Sequence, residues 1–278
     1  MDIDSLLRSE FPTSNKVEIS AGARGSKVFR LREEGGKTTL VKVYTSPGRE
    51  RRERHALEAL ASLSGIPNIL SRGLSEGVAW IQMNDPGNWN LGALPANLTI
   101  IRSAGRVLRG VHESKVQITN MANLIDNDEI EVHYQTTLSR LDKFRRRLSL
   151  PAEVLQRATE AGPPLASPPR PAHTRPTPNL FFLSEDEQVS LVDWEWATMA
   201  PPEWDVSLAS WQFAHLFGPD AGEAFLEGYG AVVTNSRLKS WIAYHSAMMM
   251  LEAAESRDGN LRGMAPMVRS LADAVGFS

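Results

Sequence analysis

The apolar residues of this chain change their spacing near residue 87, and that change restricts the fold more than any other feature. Before it, β-branched and aromatic residues form short runs: VFRL at 28–31, TTLVKVYT at 38–45 and VAWIQM at 78–83, with the turn-forming REEGGK between the first two. One helical pattern interrupts them, in PGRERRERHALEALASL from Pro47, where Ala56, Leu57, Leu60 and Leu63 recur at helical spacing. Past the turn cluster NDPGN at 84–88 the period is helical. Leu98, Ile101, Ala104, Leu108 and Val111 mark one face of a helix ending near His112, and Leu138, Leu141, Phe144 and Leu148 mark another. A proline-rich stretch, 163–178, leads into LFFL (180–183) and QVSLV (188–192), with polar SEDE between them, which reads as a hairpin. Beyond about residue 204 everything reads as helix. The order predicts an α+β chain: a small β-rich lobe over 1–87, a hinge, and a larger, mainly helical lobe over 88–278 with one embedded hairpin.

Composition removes several classes of function. The 278 residues suit one large domain or two lobes, and 42% hydrophobic with 23% charged residues provides a packed core. A formal net charge of -3 gives no basic field for nucleic acid or an anionic membrane. The absence of cysteine excludes disulfides, thiolate metal sites and a cysteine nucleophile, and fits a cytoplasmic protein. The N-terminus, MDIDSLLRSEF, is acidic and amphipathic and lacks the basic flank and apolar stretch of a secretion signal. The longest membrane-span candidate, SAMMMLEAA at 246–254, is too short.

Several residues stand out against this background. In SAGARGSKVF (20–29), Gly22 and Gly25 permit close backbone approach and Ser26 adds a hydroxyl just before a strand, which fits either a phosphate cradle or an ordinary turn. Lys42 lies inside the apolar run LVKVY, where its charge needs an anion or water; it reads as a ligand for the α/β-phosphates of ATP or as an edge-strand guard. Glu53, on the helix that follows, is its proposed partner, with Glu58 the competitor. The strand exit IQMNDPG, with Met83, offers backbone groups to an adenine ring. Asn179 precedes one hairpin strand and Asp193 closes the other, 14 positions on; two hard oxygen ligands at one hairpin end suit Mg²⁺ carrying nucleotide phosphates, and a capping Asn with a strand-end Asp is the structural alternative. Asp205 is read either as a helix cap or as a brace for the loop around His173.

Taken together these pieces resemble the aminoglycoside phosphotransferase and choline kinase-like family, over nearly the whole chain. The glycine-bearing loop, Lys42, Glu53, the hinge, LRGVHES, DWE at Asp193–Glu195 and the D-x-x-x-A start at Asp205–Ala209 follow the family's order. The resemblance implies a bilobal protein-kinase-like fold, ATP and Mg²⁺, and a hydroxyl acceptor. It also implies a catalytic loop reading His-Gly-Asp, four residues, Asn, in which the Asp orients the hydroxyl and receives its proton. This chain departs there, in PAHTRPTPN: matching on His173 puts Arg175 at the Asp position, and matching on Asn179 puts Thr174 there. General-base help is typically worth about 10²–10⁴-fold, so its loss slows such an enzyme and need not silence it. His173 reads first as a structural loop residue hydrogen-bonded to backbone and second as a candidate substitute base; Arg175 is a candidate for neutralising charge on the phosphoryl group or an anionic substrate. The functional expectation is phosphoryl transfer from ATP to a hydroxyl of a small molecule or of a peptide Ser/Thr. The alternative is a catalytically impaired pseudokinase that binds nucleotide and regulates a protein partner.

Overall fold

The computed structural model describes residues 3–21, 26–33, 35–118, 127–230, 235–256, 261 and 263–277. After helix α1 (Ile3–Glu10), strands β1 (Asn15–Ala21), β2 (Lys27–Arg32), β3 (Thr38–Tyr44), β4 (Ile69–Ser75) and β5 (Val78–Asn84) form an antiparallel sheet in the order β1-β2-β3-β5-β4. Helix α2 (Pro47–Leu60) connects β3 to β4. Both faces of β3 are covered, so TTLVKVY reads as a nearly continuous apolar run rather than an alternation. Val41 and Val43 pack with Leu6, Leu7 and Phe11 around α1, while Leu40 and Tyr44 enter the main core with Ala56, Leu57 and Leu60 of α2. The apolar pattern does not announce β1 and β4, and these are the sheet's edges: Val17 and Leu74 stay exposed.

Past residue 88 the chain is mainly helical. Strand β6 (Trp89–Asn90) leads to α3 (Leu98–Glu113), α4 (Asn127–Leu148) and α5 (Ala152–Ala161). Asn97 starts α3 by accepting the Thr99 and Ile100 amides at 3.0 and 3.3 Å. The expected apolar face is buried at Ile101, Ala104, Leu108 and Val111; Leu98, at the helix start, remains exposed. Strand β7 (Arg170–Ala172) follows, and then the expected hairpin of β8 (Phe181–Leu183) and β9 (Val189–Leu191), with β6 on its outer edge. Strand β10 (Thr198–Ala200) pairs with β7, and α6 (Pro202–Phe217), α7 (Pro219–Tyr229), α8 (Asn235–Glu255) and α9 (Ala265–Ala274) complete the chain.

The main core joins the sheet, α2 and α3 to the hairpin, α6 and α7. A second core lies among α4, α5, α6, α8 and α9, with Leu138, Leu141 and Leu148 of the expected α4 face and the rings of Trp204, Trp241 and Tyr244. The architecture is the expected small β-rich lobe followed by a larger helical one. Among the described residues no helix is long and apolar enough to cross a membrane.

α3 and α7 touch backbone to backbone. A methyl group at Gly228 would lie 2.0 Å from the Arg102 carbonyl oxygen. Gly228→Ala must therefore push the two helices apart, at a cost of about 1–3 kcal/mol. We expect a lower urea midpoint with an unchanged m-value; an unchanged midpoint would contradict so close an approach.

Candidate active site

Alternation along β3 puts Lys42 on the same face as Leu40 and Tyr44, beneath the sheet and against α2. The buried ammonium donates to Glu53 Oε2 at 2.6 Å and to the Asp193 carboxylate, and stands 3.7 Å from Glu195 Oε2. Glu53 is almost fully enclosed; its Oε2 also accepts the Tyr44 hydroxyl at 2.8 Å and its Oε1 the Trp194 amide at 3.2 Å. Glu58, the competing partner, pairs instead with Arg54 at 3.2 Å on the outer side of α2. The electrostatics follow from the enclosure. Burial alone would lower the Lys42 pKa, but the carboxylates of Glu53, Asp193 and Glu195 lift it above its ordinary value. Burial raises the Glu53 carboxyl despite Lys42. Burial also works to raise Asp193, but Lys42 overcomes it and holds that carboxyl below the usual range.

The second element is the loop between β7 and β8. Asp205, in the first turn of α6, is completely buried and turns back to this loop. Its Oδ2 accepts the His173 amide at 2.7 Å and its Oδ1 the Thr174 amide at 2.8 Å, while His112 Nε2 approaches Oδ2 at 3.2 Å. Of the two readings of Asp205, the brace is the one observed. Thr174 adopts φ 68°, a left-handed conformation that is unusual for a β-branched residue. Glycine adopts it without strain, so the geometry fits the register in which Thr174 stands at the Gly position of a His-Gly-Asp loop and Arg175 at the Asp position.

His173 is fully buried, and both of its ring nitrogens are engaged. Nε2 donates to the Val192 carbonyl at 2.8 Å, and Nδ1 accepts the Arg175 amide at 3.2 Å. Burial lowers its pKa, favouring the neutral ring. Of the two readings of His173, this is the geometry of the structural loop residue: the ring has no free nitrogen and ties the loop to the strand leading into Asp193. Arg175 is exposed and lays its guanidinium over the Trp196 ring at 4.9 Å, 3.9 Å from Glu252. Arg49 and Arg52 approach the same indole at 5.9 and 5.4 Å.

Carboxylate oxygens of Glu53, Asp193 and Glu195 lie within 4.8 Å of one another. Glu195 Oε2 is buried and has no hydrogen-bond partner. An all-oxygen cluster with an unsatisfied acceptor fits a hard cation such as Mg²⁺. Asn179, the ligand expected from the hairpin spacing, directs its Oδ1 toward Gly92. Glu195, read in the sequence only as part of DWE, takes the place beside Asp193.

The remaining expected residues are placed as follows. Ser26 is buried at the start of β2, whereas Gly22 and Gly25 lie outside the described residues. Met83 is buried in the main core, with β5 placing it between Leu40 and Ile69. The sequence did not announce Arg30, which reaches from β2 to the strand exit, pairing with Asp85 at 2.7 Å and donating to the Gly87 carbonyl at 2.6 Å. A cavity of about 1170 Å³ opens beside Thr174, Arg175 and Trp196 and runs between α4, α6 and α8.

Fold and site together define the bilobal protein-kinase-like class. Residues 17–241 match the family model described as APH, the phosphotransferase enzyme family, and the chain belongs to that family. Solved structures agree in fold. A GDP complex of aminoglycoside 2′-phosphotransferase-IIIa superposes with a TM-score of 0.73 at 13% identity, covering 98% of this chain and 97% of the other. Macrolide 2′-phosphotransferase MphH from Brachybacterium faecium gives 0.66 at 15% identity, with 98% of each chain covered. Aminoglycoside-3′-phosphotransferase of type VIII gives 0.58 at 22% identity, covering 85% of this chain and 94% of the other. No curated protein matches the sequence.

Lys42→Met removes the buried cation that contacts all three carboxylates and leaves Arg49, 3.7 Å from Glu195 Oε1. Breaking a buried pair in this way costs about 3–5 kcal/mol at neutral pH. The deficit should shrink toward pH 4.5. The carboxyl with the raised pKa, Glu53, takes up a proton first as pH falls, and the repulsion left by the missing ammonium declines. Urea unfolding of both proteins at pH 7.5 and 4.5 checks this; a deficit independent of pH would contradict it.

Proposed function

We propose that this chain is an ATP- and Mg²⁺-dependent O-phosphotransferase that acts on a hydroxyl group of a small molecule. The observation that carries the reading is the buried Lys42 joined to both Glu53 and Asp193, set beside the loop that Asp205 braces. In this reading the lobe boundary falls between residues 87 and 88. Ser26 borders the phosphates, and Met83 with the strand exit borders the base. Lys42 holds the α/β-phosphates and Glu53 keeps its ammonium aimed. Asp193 and Glu195 would hold Mg²⁺, with Asn179 the further candidate from the hairpin. Bound there, the ion would neutralise phosphate charge.

Transfer forms a bond between the acceptor oxygen and the γ-phosphorus and breaks the bond to the departing ADP. The acceptor proton passes to water or to a phosphoryl oxygen, because residue 175 is an arginine and the His173 ring is engaged on both sides. Such transfer rests mainly on positioning and electrostatics. Arg175 supplies positive charge near the transferred group, and its interaction with Asp193 helps hold that carboxyl ionised. His173 and Asp205 act as positioning residues for the loop. The comparisons give no support to the alternative of an inactive nucleotide-binding scaffold. With ATP as donor, the reading expects a cytoplasmic reaction.

ATP turnover measured by ³¹P NMR, with and without Mg²⁺, tests the reading. Asp193→Ala should lower turnover by at least ~100-fold, in line with the loss of a major electrostatic group. Arg175→Ala should retain ATP affinity and lower the rate by about 10-fold. Turnover that survives in Asp193→Ala would remove the site assignment.

A further inference from the structure

The lining of the large cavity bears on the acceptor. Its wall is built from apolar and aromatic side chains of three helices: Ile130 on α4, Trp204 and Leu208 on α6, and Tyr244, Met248 and Met249 on α8. The Trp204 ring meets Tyr244 edge-to-face at 5.3 Å, giving a rigid floor. The two methionines give an adaptable side. At about 1170 Å³ the space exceeds the ~300–1,000 Å³ of usual small-molecule sites. Thr174, Arg175 and Trp196 also line it, and Arg175 is near enough to Asp193 to help lower its pKa, so this is the side from which an acceptor hydroxyl would meet the site.

Charge narrows the class further. Among the described lining residues, Asp128, Glu129 and Glu252 are opposed by Arg52 and Arg175, and Arg175 stands 3.9 Å from Glu252. The two lining histidines add little: burial lowers His133, and burial brings His245 down to about 4. A ligand bearing several ammonium groups would have to bury them against apolar walls with a single net negative charge to meet them. Unpaired buried charge is strongly unfavourable.

We infer that the acceptor is a large, mainly apolar alcohol carrying at most one positive charge, bound with its hydroxyl at Arg175 and its apolar body on Trp204, Tyr244 and Met248. This rests on the phosphotransferase reading for the direction of the hydroxyl, while the cavity's ligand preference is testable by itself.

The test uses N-phenyl-1-naphthylamine, a neutral apolar fluorophore, with the full-length protein. Its emission should rise on binding, at micromolar Kd. A macrolide should displace it at concentrations at least 10-fold lower than a polycationic aminoglycoside requires. Met248→Glu should weaken the fluorophore and the macrolide at least 10-fold, and Met248→Leu should restore both. In each variant a thermal shift with ATP and Mg²⁺ should match wild type, which shows that the protein is folded and its nucleotide site intact. Absence of fluorophore binding, stronger displacement by the aminoglycoside, or displacement only by a serine peptide would each overturn the inference. Loss of the nucleotide shift in wild type with fluorophore binding retained would instead sink the phosphotransferase reading and leave the cavity's preference standing.

Discussion

The position of Lys42 organises this molecule. An ammonium in the middle of an apolar strand is unfavourable unless carboxylates accompany it into the interior. Here they come from two distant parts of the chain. Glu53 arrives on the helix that follows the strand, and Asp193 arrives at the end of the β8–β9 hairpin. The same contact therefore draws the N-terminal sheet onto the helical lobe. The Glu53 side chain extends the link by accepting the Trp194 amide beside Asp193. A hydrophobic pair of equal volume would stabilise the fold at least as well, so the retained charges are better accounted for by what they can bind than by the stability they add.

The loop that faces this cluster is built by the same logic but has lost the usual acid. Asp205 spends both carboxylate oxygens on the amides of His173 and Thr174, and His173 spends both ring nitrogens on backbone. The loop is thus tied by side-chain hydrogen bonds on both sides, and the group it presents at residue 175 is a guanidinium. A loop that presents positive charge remains useful for phosphoryl transfer, where charge on the moving group dominates. The large cavity that Arg175 also lines is where, in the proposed reading, the acceptor lies.

Much of this was legible in the sequence wherever a charged residue interrupts an apolar pattern. Lys42 in LVKVY, and Asp193 at the end of QVSLV, each break a hydrophobic run, and Glu53 shares a helix with Ala56, Leu57 and Leu60. The switch of period near residue 87 placed the sheet and the helices. Edge strands β1 and β4 were not legible, because their half-exposed residues give weak alternation, and β7 and β10 are three residues each. The spacing from Asn179 to Asp193 brought the two to one hairpin, but gave no sign that Glu195 would complete the carboxylate cluster. The Arg30–Asp85 pair spans 55 residues and left no local signal. The resemblance made the loop's missing Asp visible, whereas choosing its register needed the left-handed backbone at Thr174.

The central claim is that the Lys42 cluster is a site for nucleotide phosphates with a divalent cation. Calorimetric titration of ATP into the wild-type protein, with and without Mg²⁺, tests it most directly. The account predicts binding that strengthens at least 10-fold with Mg²⁺, and a loss of that gain when Asp193 and Glu195 are both replaced by their amides. ATP binding that is absent at millimolar concentration, or that is indifferent to both Mg²⁺ and the double amide substitution, would contradict it.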